Sequence, residues 1–310
     1  MYHEITIVQL NESKLNDLAK LFKSVFGIEH SAEYLKTKYT FDSSLPSYCG
    51  FFAYVNSEPI AFCGGVPCNL SYNGLTLKGI QFCDTMTLEN WSGKGIFQKV
   101  SKSLEKYALD HQLILHFAFL NEHSYWAYKK KMDWEIIGTM RRYTIKGSYF
   151  PWNKLFSSIA PIRLLCNRYI ERKIFQKQAK KPFESKSREK NKCCITRKDD
   201  FYHNLPPNHY LLDINGNTTW VKLKNEGHIG NMDLAPETNV PEFIKSLSLL
   251  IKKLGIQQLH IQLLEGDHRQ ILLEKSNKSL SSWDIGAKSF DSRIPAKDLH
   301  LVYGDIDTFV

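Results

Sequence analysis

Between Tyr48 and Leu88 this chain turns abruptly to strand-like runs that end in a glycine turn and a helix. This succession narrows the possible folds more than any other feature. Phe51 to Val55, Ile60 to Leu70 and Leu75 to Leu88 are apolar stretches separated by Asn56-Ser57-Glu58 and by Asn73-Gly74. Asn-Gly is a strong hairpin signal, because both residues tolerate positive φ. The third run leads into Asn90-Trp91-Ser92-Gly93-Lys94-Gly95. A helix comes next, with Ile96, Phe97, Val100, Leu104 and Ala108 on one face, and Leu113 to Phe119 then reads as a buried strand. A strand, a Gly-x-Gly turn and a helix make an anion site, since the first helical amides point outward and the helix dipole favours negative charge. Gly93 and Gly95 let a pyrophosphate approach the backbone, and Lys94 and Lys99 add positive charge. The run is neither a Walker loop, for want of a following Gly-Lys-Ser/Thr, nor the six-residue dinucleotide fingerprint, for want of a glycine at position 98.

The rest of the first 146 residues completes a mixed pattern. Glu4 to Leu10 alternates as a strand. Asn11 or Ser13 caps a helix that carries Leu15, Leu18, Leu21, Phe22 and Phe26 before Gly27, and Ala32 to Thr40 forms a second one. Glu122 to Met132 reads as a helix and Trp134 to Lys146 as one or two strands. The order is β-α-α-β-β-β-α-β-α-β-β. Residues 147–206 form a basic amphipathic helix and linker: Trp152 to Phe175 is amphipathic, Pro161 is expected to kink or divide it, and Lys177 to Lys192 reads as exposed. Residues 207–310 return to order. Strands are expected at Tyr210 to Ile214, Trp220 to Leu223, His228 to Leu234, Leu259 to Leu263, Trp283 to Ala287 and His300 to Tyr303. Helices are expected from Pro241 to Leu254 and from Arg269 to Lys275.

Composition excludes several classes. The 310 residues favour two domains, and 43% apolar and 13% aromatic content is ample for packed cores. No apolar run reaches the length of a spanning helix, and Met1 to Leu10 lacks the plan of a secretory signal. The net charge of +9 is local: Arg163 to Lys198 holds 13 Lys/Arg against three acids, and the rest of the chain is near neutral. That segment reads either as a solvated linker and helix face or as a contact for an anionic partner such as a membrane surface or polyanionic carrier. Nothing points to sequence-specific nucleic-acid binding. Seven cysteines without a CxxC pair fit a reducing cytoplasm, with Cys49, Cys63, Cys68 and Cys83 as core residues. The scattered histidines predict no metal site.

Taken together, residues 1–146 resemble the GNAT superfamily of acyl-CoA N-acyltransferases, whose Arg/Gln-x-x-Gly-x-Gly/Ala turn is similar to Asn90 through Gly95. Asn90 departs from that pattern. The resemblance implies that amides of Ser92, Gly93, Lys94, Gly95, Ile96 and Phe97 bind the CoA pyrophosphate, and that backbone at Met86, Thr87 and Leu88 pairs with pantetheine where two strands splay. A later family segment is similar to Asn121 through Lys131-Met132-Asp133-Trp134, with Asp133 in place of the usual glycine. Lined up on Trp134, the family's frequent tyrosine acid falls on Lys129, with Tyr128 one residue early.

Amine acylation needs a base and an acid near the leaving thiolate. Candidates are Asp84, His116, Glu122 or His123, and Tyr128 or Tyr125; each also has a packing or solvent-facing reading. The two halves rhyme at an offset of 146: Leu88 with Leu234, Phe97 with Phe243, Leu104 with Leu250, and Leu113 with Leu259. The second copy has Pro236-Glu237-Thr238-Asn239 where the first has its glycine turn.

The expected architecture is therefore α/β (α+β), with two GNAT-like mixed-sheet domains in tandem, the second degenerate. The expected activity is cytoplasmic acetyl transfer from acetyl-CoA, without metal, to a small-molecule primary amine, with an amino sugar of surface-polysaccharide assembly as the acceptor. Two alternatives stay open: a non-catalytic module of the same fold docking on an anionic partner through 163–198, and a peptidyl-bridge transferase using aminoacyl-tRNA. The acceptor wall is expected from Gly27-Ile28-Glu29-His30, Ala32 to Thr40, Asp84, and the aromatics Tyr34, Tyr39, Tyr125 and Trp126.

Overall fold

The computed structural model describes residues 4–40, 42–150, 160–179, 191–197, 201–202, 205–224, 226–234, 237–274 and 278–309. They form two compact units that do not follow simple chain order. One comprises Met1–Ile137, Asn191–Thr196 and Asp284–Leu299, the other Gly138–Lys190, Arg197–Trp283 and His300–Val310.

In the first unit β1 (Thr6–Gln9), β2 (Gly50–Val55), β3 (Glu58–Tyr72) and β4 (Leu75–Thr87) pair antiparallel in turn. Asn73 and Gly74 both take positive φ at the β3–β4 turn, as the hairpin signal requires. Alternation along β2 serves two cores. Ala53 and Val55 pack with the α3 (Ile96–Asp110) residues Ile96, Val100, Leu104 and Ala108. Phe52 and Tyr54 pack with Leu15, Leu18, Leu21 and Phe22 of α1 (Leu15–Phe26), and with Leu35 and Tyr39 of α2 (Ala32–Tyr39). Phe26, expected on the apolar stripe, is exposed in the last turn before Gly27.

After α3, β5 (Leu115–Leu120) runs parallel to β4, and α4 (Glu122–Lys131) follows. The stretch after α4 is one continuous strand, β6 (Glu135–Lys146). Its partner is not β5. Met140 to Lys146 pair with the second unit's β11 (Gln258–Leu264), while β5 is closed by Asp284 to Ser289 of β12 (Ser279–Ser289). Short β7 (Cys193–Thr196) lies on β3 within the segment read as linker.

The second unit repeats the plan. Its meander is β8 (His209–Ile214), β9 (Asn217–Leu223) and β10 (Gly227–Met232). Then come α6 (Val240–Lys253), β11 parallel to β10, and α7 (His268–Glu274). Phe243, Leu247 and Ile251 of α6 pack on Val221, Ile229 and Ile261, with Tyr143 and Ile145 of β6 beside them. Each unit thus takes its closing strand from the chain that follows the other unit's last helix.

One expected strand changes, and the expected break at Pro161 falls partly outside the described residues. Residues 151–159 lie outside those described, and α5 (Ala160–Phe175) starts one residue before Pro161. The expected kink or division at Pro161 depends on the chain before Ala160, which lies outside the described residues. His300 ends the two-residue β13 (Leu299–His300), and Tyr303 to Asp305 is a helical turn instead of strand. Of the expected exposed stretch, 180–190 lies outside the described residues. Lys177 and Ala179 are fastened to β8, where the Asp213 N–H donates to the Lys177 carbonyl at 2.6 Å and the Ala179 N–H to that of Leu211 at 3.0 Å.

This exchange has a direct test. A fragment of residues 1–146 leaves the β12 side of β5 open and gives β6 no β11 to pair with. It is expected to lose the cooperative melt of the full chain in circular dichroism. A fragment that melts cooperatively near the full-length midpoint would contradict the exchange.

Candidate cofactor and catalytic site

Parallel pairing between β4 and β5 covers only Gly79–Gln81 against Leu115–Phe117. Beyond it β4 continues to Thr87 with β3 on its other edge, and β5 continues beside β12. The facing edges have splayed. The Leu88 N–H donates to the Ile60 carbonyl of β3. By alternation Met86 also turns its backbone to β3, and Thr87 turns its N–H and C=O to the gap. Met86 is buried in the α1 core, while Thr87 and Leu88 are half-buried.

The chain then makes a helical turn at Glu89–Trp91, ending on Ser92, and enters α3. Gly93 and Gly95 both lie in the left-handed region, with φ of 75° and 76°. A Cβ on either would meet open space, so glycine is required here for conformation and leaves the approach clear. Gly95 is the N-cap of α3 and offers no side chain; the first turn holds no acid. By contrast Ser31, Asn121 and Asn239 cap α2, α4 and α6. The leading amides of α3, at Ile96 and Phe97, are therefore without a side-chain acceptor from the cap. Lys94 holds its ammonium 4.7 Å from the Trp91 ring centroid, beside this turn. Such a terminus suits an anion.

Beside the splay, β4 carries one residue too many. Asp84 and Thr85 together face Cys63, between the pairs Phe62↔Met86 and Gly64↔Cys83, and Asp84 has a φ of 49°. The bulge re-aims both side chains. Asp84 accepts from Lys38 Nζ at 2.9 Å and from the Tyr39 hydroxyl at 2.6 Å, and the Lys38 and Asp84 side chains are each only 8% exposed. His30 stacks on Tyr34 at 4.6 Å. Burial pushes its pKa below the usual imidazole range while the Asp84 charge pulls the other way, so the two groups act on one another. Thr85 Oγ1 lies 3.0 Å from the Tyr128 hydroxyl, which is also 3.9 Å from Cys63 Sγ. Burial holds the Tyr128 phenol well above its ordinary value, hence protonated. Tyr128, and not the exposed Lys129, is thus the α4 residue that reaches β4.

Other expected residues lie elsewhere. His116 is 0% exposed, between Phe82 and Phe290, with Nε2 on the Leu113 carbonyl at 2.8 Å. Burial lowers its pKa to about 4, and Nδ1 is buried without a hydrogen-bond partner among the described residues. It is a neutral core histidine, and the role of base does not suit it. Glu122 and His123 are exposed in the first turn of α4. Asn121 caps that helix, accepting from the Ser124 N–H at 2.9 Å within a capping box. Glu29 is exposed and paired with Lys23 at 2.7 Å. Tyr39, expected as an exposed ring of the acceptor wall, is buried with its hydroxyl on Asp84; Lys38 was expected there only as part of its helix, and Thr85 was not expected. The one signal for them in the sequence is Asp84 itself, a residue type that tolerates the left-handed conformation of a bulge.

The second unit has its own bulge, an extra residue on β10 between Ile229 and Asn231. There Arg269 of α7 donates to Asn231 Oδ1 at 3.0 Å and to the Met232 carbonyl at 2.8 Å, and pairs with buried Asp267. At the offset of 146, Asn231 stands for Thr85 and Met232 for Met86. A charged pair meets the bulge of the second unit, and a tyrosine hydroxyl meets that of the first. Pro236 of the corresponding turn lies outside the described residues.

No family model and no curated protein matches this sequence. Solved structures do match over nearly its whole length. A GCN5-related N-acetyltransferase from Kribbella flavida superposes with a TM-score of 0.58 at 9% identity, over 94% of this chain and 72% of that one. A putative acetyltransferase from Pyrococcus horikoshii gives 0.54 at 13%, over 99% and 95%. Saccharomyces cerevisiae N-myristoyltransferase with bound myristoyl-CoA gives 0.57 at 10%, over 97% and 86%. The chain has the GNAT fold, as mixed α/β sheets.

His116 gives a pH test. Its folded pKa of about 4 lies below the ordinary 6.5, so the unfolded chain binds the extra proton between these values. Its contribution is complete above pH 6.5 and is lost as pH falls toward 4, on the order of 3 kcal/mol for this group. In His116→Phe, stability measured by urea denaturation is expected to fall less steeply across that window. A slope identical to the parent's would contradict a neutral buried His116.

Proposed function

We propose that the chain is an acyl-CoA-dependent N-acyltransferase that takes acetyl-CoA as co-substrate. The observation that carries this reading is the gap between β4 and β5 leading directly to the uncapped N-terminus of α3 at Gly93 and Gly95. Gly93, Lys94, Gly95, Ile96 and Phe97 would hold the pyrophosphate with their amides, whereas the expected Ser92 amide already donates to the Glu89 carbonyl at 3.0 Å. Thr87 would hydrogen-bond the pantetheine through the backbone groups it turns to the gap. The thioester then lies near the bulge. An amine attacks its carbonyl carbon, the C–S bond breaks, and the sulfur leaves as thiolate. Tyr128, protonated and adjacent to Thr85, supplies the proton or hydrogen bond that the thiolate needs. Asp84, oriented by Lys38 and Tyr39, and neutral His30 form the side that accepts the ammonium proton.

The acceptor we favour is the amine of an amino sugar. Asp84 suits a cationic or hydroxyl-rich ligand, and the exposed rings of Tyr34 and Trp126 suit a sugar face. Helix α5 exposes Leu165, Arg168, Tyr169, Arg172 and Phe175, a basic and apolar face suited to an anionic carrier or membrane surface. Among the described residues no helix is long and apolar enough to cross a membrane. The same face supports the second reading, a binding module of this fold without catalysis. The second unit would be a degenerate copy.

Calorimetric titration with acetyl-CoA separates these readings from a fold kept for other ends. Binding is expected, with Gly93→Glu or Gly95→Glu folded but binding at least about a hundredfold more weakly, because a carboxylate would repel and block the pyrophosphate. No binding at millimolar acetyl-CoA, or unchanged affinity in the folded variants, would refute the site. Thiol release with a panel of amines tests the acceptor. Turnover with polyamines or peptide N-termini but not with amino sugars would overturn that choice.

A further inference from the structure

The second unit carries a row of polar groups that acyl transfer does not use. On β9, β10, β11 and β6 the residues Lys222, His228, His260 and Thr144 are register partners in sequence. Val221, Ile229, Ile261 and Tyr143, one position away on each strand, belong to the core under α6. The row therefore occupies the opposite face of the sheet. Gln262 and Arg142 form a second paired row two positions on. Tyr303, with its ring centroid 5.8 Å from that of His228, and Phe309 cover part of this face.

Three features of the row point to a ligand of negative charge. First, its charges are mostly positive: Arg142 and Lys222 both act on His228, against one acid, Glu226. Glu226 is 55% exposed at the rim and reaches His260 Nε2 at 3.3 Å. Second, the donors are not all used. Nδ1 of His228 and Nε of Arg142 are buried yet have no hydrogen-bond partner among the described residues. Third, both histidines are held neutral by burial and by the neighbouring cations, a state that an anion would reverse. A cation suits this place poorly, since Arg142 and Lys222 would repel it. His228 and Arg142 keep partial exposure, so a small ligand can reach them, while the Lys222 ammonium donates to the Thr308 and Phe309 carbonyls at 3.1 and 2.7 Å. The segment carrying Tyr303 and Phe309 over the face keeps a flat bilayer surface away.

We infer that this face of the second unit is a binding site for a phosphate group of a soluble phosphate ester, held by Arg142 and His228 beside the bonded pair His260 and Thr144. Arg142 offers a guanidinium fork to two oxygens, and His228 donates from Nδ1 once protonated; both nitrogens of His260 are already engaged, Nδ1 with the Thr144 hydroxyl at 3.0 Å and Nε2 with Glu226 at 3.3 Å. The site does not depend on acyl transfer.

Imidazole NMR of the full chain at pH 7 tests it, with inorganic phosphate as the probe and acetate at matched ionic strength as the control. Phosphate is expected to move the His228 and His260 signals and to raise both titration midpoints by about one unit. Glycerol 3-phosphate is expected to act alike. Arg142→Gln is expected to weaken the response about tenfold while acetyl-CoA affinity stays unchanged. Should that variant fail to fold, His228→Gln is read at His260 with the same expectation. The proposal fails if phosphate acts no more strongly than acetate, if Arg142→Gln responds like the parent, or if only vesicles containing phosphatidic acid shift the signals.

Discussion

Strands β4 and β5 share three residue pairs, and then their facing backbone groups must find other partners or meet solvent. The bulge at Asp84 and Thr85 lies just past that point and belongs to the same break. It turns Asp84 toward Lys38 and Tyr39 and turns Thr85 toward Tyr128. The chain leaving the gap enters α3 through two left-handed glycines with no capping side chain. One interruption in a sheet thus leaves a gap between two strands, a helix N-terminus without a capping side chain beyond it, and polar side chains beside it.

Much of this was readable in the sequence where local chemistry decides the outcome. Asn73-Gly74 marked the hairpin because φ preference is a property of those residues. Gly93 and Gly95 marked the turn for the same reason. Leu104 and Ala108 fell on the buried face because helical period is fixed. What the sequence hid depends on partners distant in the chain. Nothing local says that β6 pairs with β11 while β12 closes β5, since either strand has the same alternating pattern. His116 reads as a base or, more readily, as a core residue, and Phe82 and Phe290 enclose it. Tyr128 stood one place from the family's expected position, and only the bend of the Asp84 bulge shows which residue of α4 meets β4. Cys193 to Thr196 was concealed by the lysines around it.

The two units share an order of elements and a bulge at the same place in the repeat, yet differ in what fills it. In the first, neutral hydroxyls meet at Thr85 and Tyr128. In the second, the guanidinium of Arg269 binds the bulge and the Met232 carbonyl and is itself held by Asp267. A buried charged pair whose donors are already engaged resists displacement, because separating it would leave an uncompensated charge. The bulge of the second unit thus meets a charge-paired donor where that of the first meets a hydroxyl.

The central claim is that the N-terminus of α3 and the exposed edge of β4 hold one extended, anionic ligand. Hydrogen–deuterium exchange of the full chain with and without CoA addresses it residue by residue. Slowed exchange is predicted at Thr87 and across 92–97, with amides in 230–240 of the second unit unchanged. Protection of 230–240 without protection of 92–97 would contradict the account.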